Sequence, residues 1–143
     1  MDSNNKLTRF LAVTGTVIAW LPILFTIFTS IINVIASYTL RIDYLIPAEL
    51  FPVALIGGLL LFWAAARIRI MHKTIGILIL AMISFLAAGQ LTAVITGLAS
   101  GAIEPTGWPL ILTSSLIALY TLALITLGLS GISFIKNIFR NKN

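Results

Sequence analysis

The sequence predicts an all-α protein, a bundle of four transmembrane helices. Of its residues 59% are hydrophobic and only 9% charged, and the mean hydropathy is +1.10. The charges are so placed that the runs 10–40, 50–66, 74–103 and 105–135 carry none. A soluble domain holds roughly a quarter charged residues. A hydrocarbon core of about 30 Å is crossed by about 20 apolar residues in helix, so each run crosses once. The expected spans are about 10–37, 49–67, 74–98 and 108–135, within one integral membrane domain over 1–143.

The first span is about 42 Å long at about 1.5 Å per residue, more than the core requires. Pro22 is the expected place for a kink, because its ring displaces the carbonyl of Ile18, and a nearby hydroxyl such as Thr26 or a neighbouring helix is the expected compensating partner. The run far exceeds the roughly 7 to 15 apolar residues of a signal peptide, so it is read as a retained span. Residues 38–48 form the first outer loop, with Tyr38 and Tyr44 at headgroup level. The second span opens between Pro47 and Pro52, since proline suits a first helical turn, with Glu49 at the outer interface. A tight basic turn from Arg67 to Lys73 leads to the third span. Gly101, Pro105, Gly107 and Pro109 mark the next loop. The fourth span follows Trp108 and continues past its apolar run, with Lys136 and Arg140 complementing the negative end of its dipole.

Charge fixes the expected orientation. With the N-terminus inside, Lys6, Arg9, Arg67, Arg69, Lys73, Lys136, Arg140 and Lys142 fall on the cytoplasmic side and Arg41 alone falls outside. This bias predicts both termini in the cytoplasm and the plasma membrane as the location. The net charge of +5 is therefore matched to anionic lipid headgroups rather than to nucleic acid, with Arg67, Arg69 and Lys73 as headgroup contacts.

The halves share a weak self-similarity at an offset of 57 residues. Asn33 aligns with Gln90, Phe51-Pro52 with Trp108-Pro109, and Leu55 with Leu112. Two parallel hairpin repeats would produce it, and so would convergence on a good way to start a helix at an interface.

Helices in lipid associate through small residues and polar side chains. Gly89, Ala93, Gly97 and Gly101 suggest a packing ridge on the third span, and Ala54 with Gly57 and Gly58 a shorter one on the second. Thr26, Thr29, Ser30, Asn33 and Ser37 form a polar stripe on the outer half of the first span; Gln90, Thr92 and Thr96 lie at similar depth on the third. An unpaired amide in hydrocarbon is costly, so Asn33 and Gln90 are expected to turn inward. There they act as polar glue or line an outward-facing pocket closed by Glu49, Glu104 and Trp108.

Catalytic chemistry has little material here. Cysteine is absent and His72 is the single histidine, which leaves no thiol chemistry and no multi-histidine metal site. No charge lies in the middle of a span, where a proton relay or coupling-ion site would need one. The expected protein is not an enzyme and uses no cofactor or metal. It is a small multi-pass protein acting through contacts with another membrane component, as an accessory, regulatory or protective subunit, with a membrane-protein partner or as a homo-oligomer. The alternative is an oligomeric channel or transporter for a small solute.

Overall fold

In the computed structural model, residues 2–37, 50–102, 104 and 106–140 are described, with side chains except at 2–5, 30, 33, 34, 36 and 37. Four helices follow one another: α1 Asp2–Ser37, α2 Phe51–Ile68, α3 His72–Ile95 and α4 Gly107–Arg140. All four are long and apolar enough to cross a membrane. The first reaches the N-terminus well before the expected start at 10, and the third stops at Ile95 rather than near 98.

Local chemistry sets the ends. Phe51-Pro52 opens α2 and Trp108-Pro109 lies in the first turn of α4, where a proline removes only a donor that has no helical partner. The turn between α2 and α3 is only three residues long, and Arg69 and Met71 in it both have φ 56°. That left-handed backbone costs side-chain-bearing residues about 1–2 kcal/mol each. Ile68, Ile70 and Met71 pack on the core and hold the turn in place.

Gly97 and Gly101 have φ of 77° and 69° in the connection after α3. They are turn residues, and the expected ridge on α3 reduces to Gly89 and Ala93; a Cβ added at Gly89 would meet Ile117 and Leu116 at 3.5 Å. The ridge fails because glycine after a helix end serves the left-handed turn that stops it.

Contacts run around a square. α1 packs on α2 and α4, and α3 packs on α4 and α2, with only a thin contact across the α2–α4 diagonal. Gly15 and Ala19 meet Leu61 and Gly57, Gly58 meets Ile79, and Thr16 and Trp20 meet Gly131 and Gly128. Sequence neighbours are therefore antiparallel. Leu61, Ile75, Met82, Tyr120, Leu124, Leu127 and Phe134 fill the centre and are fully buried.

The tightest contact joins α1 and α2. A Cβ placed on Gly57 would stand 2.6 Å from the Ala19 amide nitrogen, and one on Gly15 would stand 2.9 Å from the Gly57 carbonyl oxygen. Ala54, Gly57 and Gly58 are all buried, as the sequence suggested. On the other side of α1, the Thr16 hydroxyl and the Trp20 indole occupy the grooves left by Gly131 and Gly128. Pro22 is buried within a continuous α1, and the Thr26 hydroxyl donates to the carbonyl of Pro22 itself, at 2.7 Å, rather than to that of Ile18.

Gly57→Ala should therefore lower stability by about 1–3 kcal/mol, the cost of overpacking against backbone that cannot move aside. Gly89→Ala should be neutral or stabilising, because its methyl meets side chains at ordinary contact distance and alanine favours helix. Unfolding in mixed detergent micelles reads both, and equal losses would show that the two glycines are packed alike.

Candidate functional site

α2 is the short member of the bundle at the end away from the basic turn. Its first residue, Phe51, packs on Tyr120 with ring centroids 6.3 Å apart. From Tyr120, α4 continues back to Gly107, about 20 Å farther at about 1.5 Å per residue. From Ala19, beside Gly57, α1 continues to Ser37, about 27 Å farther, whereas α2 reaches only about 9 Å beyond Gly57. Past Phe51 the helical scaffold among the described residues is α1, α3 and α4.

This geometry decides the fate of Gln90. It follows Ile79 by eleven residues, about three turns, and so lies on the line of α3 that faces α2 at Gly58. At the height of Gln90, α2 has already ended. The amide is exposed and makes no hydrogen bond among the described residues. The expectation that it turns inward to bond across helices is not met among the described residues, because α2 ends short of that depth.

The other outer positions disperse or fall outside the description. Asn33 lies on α1 with its side chain undescribed, and Glu49 lies outside the described residues. Glu104 is exposed in the connection between α3 and α4, and Trp108 is exposed in the first turn of α4. The threonine hydroxyls of the two polar stripes turn back on their own helices. Thr26 bonds Pro22, Thr29 bonds Phe25, Thr92 bonds Ala88 and Thr96 bonds Thr92, all through main-chain carbonyls. These threonines are not glue between helices. Along the same half of α1, an open apolar hollow of about 500 Å³ is lined by Leu21, Leu24, Phe25, Ile27, Phe28 and Ile31.

Two residues passed over in the sequence stand out in the structure. Thr113 and Tyr120 are buried on α4, and both hydroxyls are without a partner. Thr16, Thr121 and Thr126 bond the carbonyl four residues back, and Thr113 does not. The seven-residue spacing, which puts both on one helical face with Leu124, Leu127 and Gly131, was the available signal. Side chains on a helix lean toward its N-terminus, so the ring of Tyr120 leans along α4 toward Thr113.

The opposite end of the bundle is basic. The Arg9 guanidinium lies 4.8 Å from the centre of the Phe139 ring, and the Asn137 amide donates to Met71 Sδ at 3.8 Å. These contacts gather the start of α1, the turn between α2 and α3, and the end of α4. With them come Lys6, Arg9, Arg67, Arg69, Lys73, Lys136 and Arg140. Glu104 is the one charged side chain described at the other end. Among the described residues no three His, Asp or Glu side chains come together as a metal site would require.

No protein-family model, no curated protein and no solved structure matches the chain.

Burial without a partner has a measurable consequence. A buried hydroxyl that lacks a hydrogen bond costs about 1–3 kcal/mol. Tyr120→Phe and Thr113→Val should each leave the melting temperature in detergent unchanged or raise it. A fall in both would mean that the hydroxyls bond to something bound between them.

Proposed function

We propose that this chain is a non-catalytic integral membrane protein that acts by contacting another membrane protein, as an accessory, regulatory or protective subunit. The observation that supports this reading is the exposed amide of Gln90. It lies about 26 Å along α3 from Lys73, within reach of the outer edge of a core about 30 Å thick. An amide in that position is costly unless it finds a partner. Hydrogen bonds of this kind between membrane helices contribute about 0.6–2 kcal/mol each. That is too little to hold two proteins together alone, but enough to set the register between apolar helix faces. The exposed apolar outer half of α1, from Leu24 to Ile35, offers such a face nearby.

In this reading the protein lies in the plasma membrane with its basic end in the cytoplasm, as the distribution of Lys and Arg favours. The cations there, Arg67, Arg69 and Lys73 among them, contact anionic headgroups.

A second reading draws on Thr113 and Tyr120. Two unpartnered hydroxyls in the outer half of the core suit a small-solute pathway within an oligomer, where water or solute would complete their hydrogen bonds.

A photo-crosslinking residue at position 90, with one at position 80 on another exposed line of α3 as control, tests the first reading in native membranes. A protein adduct of defined mass at 90 and none at 80 is expected, and an adduct of twice the chain mass would identify the partner as a second copy. Lipid adducts alone at both positions would overturn the reading. The chain has no cysteine, so single cysteines at 69 and 106 report its orientation. Position 69 should react only with reagent supplied from the cytoplasmic side.

A further inference from the structure

Four cations meet where the first turns of α1 pack on the last turns of α4. Lys6 and Arg9 are one turn apart on α1, and Lys136 and Arg140 one turn apart on α4. Neighbours at such spacing have Cβ atoms about 5–6 Å apart and repel when their charges are alike. The helices are joined here by Arg9, whose guanidinium lies over Phe139, a residue between the two α4 cations in sequence.

The helix ends do not relieve this charge. The start of α1 contributes about half a positive charge and the end of α4 about half a negative one, and the two offset each other. Asp2 is the one acidic side chain that the sequence places at this end. A net positive charge remains, so the missing partner is an anion.

The shape of the groove narrows the choice. Arg9 is half-buried with its Nε enclosed and without an acceptor, whereas Lys6, Lys136 and Arg140 are exposed. With Nε enclosed and one face on an aromatic ring, the guanidinium has its two terminal Nη groups left for two oxygens of a phosphate. One turn farther into the membrane, Val13 follows Arg9 on α1 and Ile132 precedes Lys136 on α4, both exposed. Cations above and apolar side chains below match a phosphate that carries acyl chains.

We propose that this α1–α4 groove is a discrete binding site for an anionic phospholipid, with its phosphate on Arg9 and flanked by Lys6, Lys136 and Arg140.

The full chain in detergent, supplied with phosphatidylglycerol, phosphatidylcholine or inorganic phosphate and followed by native mass spectrometry, tests the site. The unaltered chain should retain phosphatidylglycerol over phosphatidylcholine by about fivefold or more, the effect of one basic side chain near an anionic surface. Arg9→Lys keeps the charge but loses the fork and the ring contact, and should abolish most of that preference. Undiminished preference in Arg9→Lys would overturn the site. So would retention of inorganic phosphate in place of lipid. Phe139→Leu, which leaves every cation in place, should also weaken the preference, and it decides the matter if Arg9→Lys fails to fold.

Discussion

Gly57 rests so close to α1 that a methyl group there would lie 2.6 Å from the amide nitrogen of Ala19, and the positions of the other helices follow from that approach. Lipid supplies no hydrophobic force between helices, so association depends on how closely their surfaces fit. With α1 and α2 in backbone contact, Thr16 and Trp20 are left on the far side of α1 to fill the grooves at Gly131 and Gly128. α4 is thereby seated against α1. α3 closes the square through Ile79 on Gly58 and through Gly89 against Leu116 and Ile117.

The polar groups follow a different economy. Most threonines within the helices satisfy their hydroxyls on carbonyls one turn back, so they add no specificity between helices and allow the backbone to bend slightly. Shape therefore carries the specificity of the fold. Gln90, Thr113 and Tyr120 depart from this pattern near or beyond the end of α2, and the Trp20 indole and Arg9 Nε are buried without an acceptor elsewhere in the bundle. A single cause, the shortness of α2, leaves the Gln90 amide uncovered and ends that helix against the Tyr120 ring.

The two ends of the bundle are consequently unlike. At the basic end all four helices are present and the cations crowd on adjoining turns. At the other end, among the described residues, α1, α3 and α4 extend beyond α2, and α1 exposes Leu24, Phe25, Ile27, Phe28, Ile31, Ile32 and Ile35. Headgroup chemistry suits the first, and contact with another apolar helix suits the second.

The sequence by itself determined the number of helices, their order and the collection of basic residues at one end. These follow from where charges interrupt apolar runs, which is a property of composition along the chain. It also marked Ala54, Gly57 and Gly58 as packing residues and Phe51-Pro52 and Trp108-Pro109 as helix starts. Tertiary structure decided which small residues face a neighbour. Gly97 and Gly101 share the spacing of a ridge with Gly89, but the helix ends before them. Gly15, Gly128 and Gly131, which carry the closest approaches of α1 to α2 and of α4 to α1, show no such regular spacing. The orientation of Gln90 was not legible either, because it depends on the height at which a different helix stops. A residue's period along its own helix fixes the direction in which it points, but only the packed arrangement fixes what stands there.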